Sequence, residues 1–398
     1  MNPYTIAAVW MALALVASVI SIRVGIAVAL AEIIVGALAG NLPGLSGLVE
    51  QTAFTTFLAS MGSVTLTFLA GAEIDPVSLR RHWKASLAIG FVSFMVPFIA
   101  AMLVAYFWLG WSLPAAEIAG VALSTTSVAV VYAVMVETGL NRSELGKLIL
   151  AACFVTDLGT VLALGALFAG FSLLLVAFAV VTAIALVAIS PALSFVMNSL
   201  GHRVSEPEIK FLFVVLLGLG GLASAAGSEA VLPAYLIGLA TAGVFLGDRV
   251  LMDRMRSTAF ALLTPFFFLR AGILISVPAM VEGAGVIGLL FLAKMASKLL
   301  GVWPVAAAVG VGRRDRNYVT LLMATGLTFG SISALYGLNH GLVNGAQYSE
   351  LLTVVILSAI VPTLIAQRLF QPGLIDVEEE EALGAEDASI VHRPSARS

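Results

Sequence analysis

Long apolar runs make up most of the chain. Short polar or Gly/Pro-containing breaks separate them, and most runs approach the roughly 20 residues that an α-helix needs to cross the hydrocarbon core of a bilayer. Thirteen such runs lie at 4–22, 24–40, 52–72, 86–110, 115–138, 146–169, 171–199, 209–226, 231–247, 258–277, 281–310, 318–338 and 349–370. The pattern predicts an all-α polytopic membrane protein with thirteen transmembrane helices.

The basic residues give an independent test of this count. Seventeen of the 20 lysines and arginines lie in or beside the odd-numbered connections and the C-terminal end, and the even-numbered connections contain none. Lysine and arginine concentrate in cytoplasmic loops. We therefore expect a multi-pass protein of the cell (inner) membrane, with the N-terminus outside and the C-terminus in the cytoplasm.

Composition narrows the class of protein further. The chain is 60% hydrophobic and 11% charged with a net charge of −3, whereas soluble globular chains carry about 25% charged residues. These values exclude a soluble enzyme and a basic nucleic-acid-binding protein. Residues 1–370 are predicted to form one transmembrane domain, and residues 371–398, with the acidic run at 378–381, a disordered cytoplasmic tail.

Thirteen spans divide into six, one and six. Two predicted repeats, at about 4–169 and 209–370, flank a linker helix at 171–199 and enter the membrane from opposite sides. Inverted repeats are a recurrent plan of secondary transporters, which bind their substrate at mid-membrane between discontinuous helices. The sequence therefore predicts two inverted six-helix repeats.

Spans 5 and 12 occupy matching positions in these repeats, and both carry small or hydroxyl residues at their centres. The residues are Ser124, Thr125, Thr126 and Ser127 in span 5, and Thr325, Gly326, Thr328 and Gly330 in span 12. Such residues can satisfy an unwound backbone, although small residues also serve ordinary helix packing. Their matching positions favour two broken helices.

Five charged residues lie well inside predicted spans, away from the span ends: Glu32, Asp157, Arg270, Lys294 and Lys298. A charge at the centre of a membrane helix costs about 2.5–3.5 kcal/mol on insertion scales. These side chains are therefore expected to face the protein interior or a water-filled cavity and are functional candidates.

Asp157 is the strongest candidate for an ion-binding residue. A single carboxylate at mid-depth is neutralised by a proton or by a small monovalent cation, and competition between the two is sufficient for cation:proton exchange. The preceding Thr156 adds a hydroxyl oxygen, and Ser124, Thr125 and Thr126 are further candidate Na⁺ or K⁺ ligands. The alternative is a structural salt bridge between Asp157 and Lys298.

The three basic residues are assigned supporting roles. Lys298 is either a counter-charge that holds the empty site or a structural group that offsets the carbonyl ends of the half-helices. Lys294, one turn earlier, is expected to snorkel or to pair helices. Arg270 is expected to pair with a carboxylate, and Glu32 is one choice.

Several stretches together resemble the monovalent cation:proton antiporter superfamily, in particular its cation:proton antiporter-2 (Kef- and Nap-type) branch. They are residues 31–40, 68–75 and 265–272, the Thr156-Asp157 pair, and residues 298–301. The resemblance implies the sodium/proton antiporter fold, with a mobile core domain, a dimerisation domain, and crossed discontinuous helices in spans 5 and 12. It also implies a homodimer and the ion-binding role of Asp157.

One departure from the family pattern concerns charge. Electrogenic members have Asp-Asp at the acidic pair and electroneutral members have Asn-Asp or Gln-Asp, whereas this chain has Thr156-Asp157. The sequence therefore predicts electroneutral exchange of Na⁺, K⁺ or both for H⁺, with no cofactor, no nucleic acid and no enzymatic activity. A sodium-coupled organic-anion symporter of related fold and a cation channel are the alternatives.

Overall fold

The structure is a computed structural model of the 398-residue chain. It describes residues 2–25, 27–44, 49, 51–73, 83–137, 140, 143–168, 173–201, 203–226, 228 and 230–372. The predicted acidic run at 378–381 and residues 74–75 of the stretch at 68–75 lie outside these ranges.

The described residues form helices and the turns between them. The helices are α1 (Pro3–Val24), α2 (Val28–Asn41), α3 (Ala53–Ala72), α4 (Trp83–Leu103), α5 (Leu113–Ser124), α6 (Val128–Glu137), α7 (Glu144–Phe168), α8 (Leu173–Leu200), α9 (Pro207–Ala225), α10 (Val231–Gly247), α11 (Arg249–Thr258), α12 (Thr264–Ile273), α13 (Val277–Glu282), α14 (Ala284–Ala308), α15 (Arg313–Met323), α16 (Thr328–Asn339) and α17 (Gly345–Leu369). Two π-helical turns, Val104–Trp108 and Ala259–Leu263, extend α4 and join α11 to α12. The all-helical class predicted from the apolar runs is confirmed.

Helical stretches long and apolar enough to cross a membrane number nine within the described residues, and three shorter apolar helices, α2, α5 and α10, accompany them. Each of the thirteen predicted runs overlaps a helix or a pair of helices. The chain is thus a multi-pass membrane protein. The count of thirteen spans and the inverted repeats stay predictions.

Capping residues fix several helix starts. Asn2 accepts a hydrogen bond from the Tyr4 amide at 2.9 Å before α1, and Pro3 occupies the first turn of that helix. Reciprocal capping boxes start α3 at Thr52 and α17 at Asn344. In each case the cap satisfies amide groups that lack partners within the helix.

The helix that leads into α12 begins nine residues earlier than the predicted span at 258–277. The structure starts a continuous helical stretch at Arg249 instead, because α11 carries its polar residues on one face and its arginines find acidic partners. Arg256 Nε lies 2.9 Å from Glu73 Oε1 at the end of α3, and Arg254 Nη1 lies 3.3 Å from Glu206 Oε2 before α9. These pairs hold α11 against two neighbouring helix ends.

The helices pack as two bundles. In the first bundle, α1, α2, α3 and α8–α12 pack against one another, and in the second bundle, α4–α7 and α14–α17 do so. The short α13 follows α12 of the first bundle along the chain and packs on α14 and α17 of the second. Each bundle draws helices from both of the predicted repeats.

Glycines bring helix backbones into contact within the first bundle. Gly272 of α12 lies against the Ile33 carbonyl of α2, and Gly238 of α10 lies against the Phe68 carbonyl of α3. No side chain fits in either position without moving backbone. Backbone contact of this kind is typical of helix pairs in membranes.

Gly238→Ala is expected to destabilise the protein by about 1–3 kcal/mol, because the new methyl group overpacks the seam between α10 and α3. Gly243→Ala is the matched control on the same helix, since a Cβ there meets no atom within 4 Å. Thermal melting in detergent measures both. Equal melting temperatures for the two variants would contradict the close approach.

Candidate functional site

Two transmembrane helices are interrupted at the centre of the second bundle. The helix α5 ends at Ser124 and α6 begins at Val128, with Thr125 in an extended conformation between them. Likewise, α15 ends at Met323 and α16 begins at Thr328. Both interruptions coincide with the polar runs of spans 5 and 12.

The two interruptions bind each other. The Ser127 amide donates to the Thr325 carbonyl at 3.0 Å, and the Thr126 hydroxyl donates to the Met323 carbonyl at 2.7 Å. The hydroxyl oxygens of Ser127 and Thr328 lie 3.5 Å apart. Backbone groups that the helices leave free therefore find partners on the opposite interruption, where no lipid could supply them.

The glycines of span 12 permit this approach. A Cβ at Gly330, in the first turn of α16, would lie 3.0 Å from the Ala122 carbonyl of α5. Gly326 lies inside the interruption, where a Cβ would meet the Nζ of Lys294. Thr325 also lies in the interruption, whereas Thr328 is the first residue of α16.

Asp157 lies in the middle of α7 and is 1% exposed. Its Oδ1 is buried and has no hydrogen-bond partner among the described residues. The neighbouring Thr156 hydroxyl donates to the Cys153 carbonyl at 2.6 Å. Because the hydroxyl hydrogen is engaged with the backbone, the lone pairs of the Thr156 oxygen are free to accept a hydrogen bond or to coordinate a cation.

The three other predicted hydroxyl ligands are engaged in the same way. Ser124 donates to the Val121 carbonyl at 2.8 Å, and Thr125 donates to the Ala122 carbonyl at 3.1 Å. No hydrogen bond in the described part of the chain joins either of them, or Thr126, to Asp157.

Lys298 projects from α14 to the end of α5 and is fully buried. Its Nζ donates to Ser93 Oγ at 2.7 Å, to the Ser124 carbonyl at 2.9 Å and to Thr126 Oγ1 at 3.1 Å. No ion pair within 4.0 Å links it to Asp157, although both residues are described. The structural salt bridge considered from the sequence is therefore wrong, and the ammonium group binds a helix carbonyl end.

The expectations for the remaining charges need correction. Lys294 does not snorkel, since it is fully buried; it pairs helices instead, as the alternative expectation had it, by donating to Ser358 Oγ of α17 at 2.9 Å. Among the described residues, Arg270 binds amide side chains and no carboxylate, with Nε 3.3 Å from Gln51 Oε1 and Nη2 3.2 Å from Asn339 Oδ1. Glu32 is 3% exposed and its Oε2 has no hydrogen-bond partner within the described ranges. The suggested pair of Arg270 with Glu32 is therefore wrong, because the arginine reaches the ends of neighbouring helices.

Polar contacts join the two bundles near the start of α17. The Tyr348 hydroxyl donates to the Ala271 carbonyl at 2.8 Å, and the Ser276 amide donates to Ser349 Oγ at 2.9 Å. The contact of Arg270 with Asn339, at the end of α16, also joins the two bundles. These contacts link the two bundles at this end.

A cavity of about 110 Å³ lies between the bundles elsewhere. Its lining includes Leu30 of α2, Val130 and Val134 of α6, Leu327 in the interruption, and Thr363 and Gln367 of α17. It extends from the later turns of α17 towards the interruptions.

Comparison with known proteins gives the family. The family model for the transmembrane region of the sodium/hydrogen exchanger matches residues 11–371. The chain belongs to the sodium/hydrogen exchanger family. The resemblance to the monovalent cation:proton antiporter superfamily is therefore confirmed.

Individual relatives of this exchanger-family chain are transporters. The Na⁺/H⁺ antiporter NhaS4 of Synechocystis is 25% identical over 375 residues, which cover 85% of this chain and 88% of the relative. The glutathione-regulated potassium-efflux system protein KefC of Salmonella arizonae is 28% identical over 330 residues, and the match covers 78% of this chain and 51% of KefC. The matched region thus spans about half of KefC and most of NhaS4.

A solved structure confirms the fold of the exchanger-family chain. The sodium proton antiporter MjNhaP1 from Methanocaldococcus jannaschii at pH 8 superposes with a TM-score of 0.68 at 15% identity, covering 92% of this chain and 98% of that one. The described helices therefore share the architecture of a sodium proton antiporter.

Sequence reasoning missed three residues that contact this centre. Ser93 and Ser358 accept from the two buried lysines, and Tyr235 of α10 donates to the Phe154 carbonyl, one turn before Asp157, at 3.1 Å. Single serines and tyrosines in apolar runs are common, so no sequence signal separated these from ordinary core residues.

Lys298→Met is expected to destabilise the exchanger-family chain by about 1–3 kcal/mol, because the Ser124 carbonyl and two hydroxyl oxygens lose a charged donor. Lys147→Met is the control, since that lysine lies in the first turn of α7 and its side chain is 37% exposed. Thermal melting in detergent tests the pair. A melting temperature at or above that of the unmodified protein would contradict the capping role.

Proposed function

We propose that the chain is a secondary active transporter that exchanges Na⁺, K⁺ or both for protons by binding them in turn at Asp157. The observation that carries the proposal is the buried carboxylate oxygen of Asp157 without a partner. An ionised carboxylate in such a place needs a positive charge, and a neutral one needs a proton. The two ligands therefore exclude each other at one group.

Oxygen atoms near the helix interruptions support cation binding. Alkali cations prefer oxygen ligands, and Thr156 offers the lone pairs of a hydroxyl whose hydrogen already bonds to the backbone. We propose Asp157 and Thr156 as cation ligands, with Ser124, Thr125 and Thr126 contributing when the cation is bound. The interruption residues Ser127, Thr325, Gly326, Thr328 and Gly330 hold the two half-helix ends together beside them.

Lys298 supports the site without neutralising Asp157. Its three acceptors are neutral, so the ammonium group stabilises the carbonyl end of α5 in the presence or absence of cargo. A positive charge in the same bundle also favours the release of the cation. Arg270 and Glu32 lie apart from this centre, and we propose structural roles for both.

Movement of one bundle against the other would expose Asp157 to the two sides in turn. The polar contacts at the start of α17 and the cavity along its later turns support a state that is closed on one side and opening on the other. With the predicted orientation, the closed side is external and the cavity is cytoplasmic. The inverted repeats at about 4–169 and 209–370 would relate the opposite state to this one, since each bundle contains helices of both.

The wider arrangement follows the family resemblance. We propose a homodimer in the cell (inner) membrane, with thirteen spans, a linker helix at 171–199, the N-terminus outside and a cytoplasmic tail at 371–398. We also propose one proton per cation, because Thr156 contributes oxygen but no charge.

Asp157→Asn is expected to abolish cation:proton exchange, because an amide can neither release a proton nor bind a cation by charge. Proteoliposomes with a trapped pH dye, given Na⁺, K⁺ or Li⁺ in turn, measure the loss. In the unmodified protein the apparent KM for the cation rises as the pH falls, since protons compete for the same group. Glu144→Gln is the control on α7, where Glu144 is 37% exposed and pairs with Lys147. Full exchange by Asp157→Asn would refute the proposed site.

Exchange by the unmodified protein is expected to be insensitive to a membrane potential set with valinomycin. Thr156→Asp adds a second carboxylate beside the first and is expected to make the exchange voltage-dependent, because a second proton is then carried per cation. Thr156→Asn is the neutral control. Voltage dependence of the unmodified protein would contradict the stoichiometry and leave the role of Asp157 intact.

A further inference from the structure

The second bundle contains a buried lysine that the proposed exchange does not use. Lys294 is fully buried in α14, one turn before Lys298, and its Nζ donates to Ser358 Oγ at 2.9 Å. No carboxylate lies within 4.0 Å of it among the described residues. A charged group so far from water must be held by the oxygens around it.

The Lys294 Nζ lies beside Gly326, and oxygens from three different elements surround that position. A Cβ built on Gly326 would touch the Lys294 Nζ and would lie 3.1 Å from Thr125 Oγ1 and 3.2 Å from Ser358 Oγ. Ser358 Oγ is also 3.4 Å from the Gly326 carbonyl oxygen. The ammonium group therefore lies against the interruption between α15 and α16, where two hydroxyls and a carbonyl meet.

The carbonyl end of α15 and the amide end of α16 both lie at this position. The helix α15 ends at Met323, three residues before Gly326, and the carbonyl groups at the end of a helix carry partial negative charge. Lys298 holds the equivalent position at the end of α5, through the Ser124 carbonyl. Each interruption thus has its own ammonium group, and both come from one face of α14.

Hydroxyl and carbonyl oxygens at a helix carbonyl end are also the groups that bind alkali cations in discontinuous transporter helices. We propose that the Lys294 ammonium group stands in place of an alkali cation, so that the interruption between α15 and α16 is a second cation position filled by the chain itself. A Cβ at position 326 would displace the ammonium group. One consequence is that the protein takes up a single mobile cation.

The proposed cation position at Lys294 does not depend on exchange at Asp157. Its test therefore uses protein in which Asp157 is replaced. Lys294→Ala is made in an Asp157→Asn background, and its thermal melting in detergent is followed in choline chloride, KCl, RbCl and NH₄Cl at constant ionic strength. We expect a lower melting temperature in choline than for Asp157→Asn alone. We also expect a gain of several degrees as K⁺, Rb⁺ or NH₄⁺ replaces choline, since a ligand that binds only the folded state stabilises it.

Equilibrium binding of radioactive Rb⁺ measures the same position directly. Lys294→Ala in the Asp157→Asn background is expected to bind about one Rb⁺ per chain, and Asp157→Asn alone is expected to bind none. Both are measured at the Rb⁺ concentrations that raise the melting temperature of the alanine variant. Lys294→Met is the second variant, because its side chain refills the position without charge and should neither bind Rb⁺ nor respond to salt. Lys147→Ala is the control for loss of a lysine outside the membrane.

Each result decides for or against the inference. Salt-dependent stabilisation of Lys294→Ala together with bound Rb⁺ supports a cation position, and an equal response of the alanine and methionine variants overturns it. If Lys294→Ala gives folded protein only when purified in KCl or NH₄Cl, the position is likewise supported. Failure to fold in every salt, with a folded methionine variant, overturns it, because the lysine would then serve only to fill space.

Discussion

The structure depends on two broken helices satisfying each other. A helix that unwinds within a bilayer exposes amide and carbonyl groups that lipid cannot bind, and each unsatisfied group costs several kcal/mol. Here Ser127 and Thr325 join backbone to backbone, and Thr126 binds the last carbonyl of α15. Neither break could exist alone, so the ends of four half-helices are fixed at one place. The unpartnered carboxylate of Asp157 lies in the same bundle.

Charge is distributed around this centre in an uneven way. Two ammonium groups, Lys294 and Lys298, are held by neutral oxygens, and the carboxylate of Asp157 is not paired with either. The Lys298 ammonium group binds the carbonyl end of α5, whereas the Asp157 Oδ1 atom has no hydrogen-bond partner among the described residues. In the proposed exchange, this separation would allow the carboxylate to change its ligand while the contacts of the lysines stay in place.

Periodicity and composition were sufficient for much of the fold, because a bilayer imposes helix length and penalises every polar residue within it. The apolar runs predicted the helices, and the hydroxyls and glycines at the centres of spans 5 and 12 marked both interruptions. The hydrogen-bond partners of long side chains could not be predicted from periodicity and composition. Arg270 reaches Gln51 and Asn339, which are 219 and 69 residues away along the chain. Lys294 points inward because of the way α14 is rotated, and a single sequence does not specify that rotation.

The contrast between glycine seams and aromatic contacts indicates where motion is easy. Along α2 and α12, and along α3 and α10, backbone touches backbone, so those pairs behave as single stiff pieces. Between the bundles, the ring of Tyr235 stacks on Phe154 at 5.7 Å and meets the edge of Phe329 at 5.9 Å. Flat rings can shift across one another by small steps while staying in van der Waals contact. The Tyr235 hydroxyl also donates to the Phe154 carbonyl at 3.1 Å, so movement of one bundle past the other would have to break that hydrogen bond while the rings stay in contact.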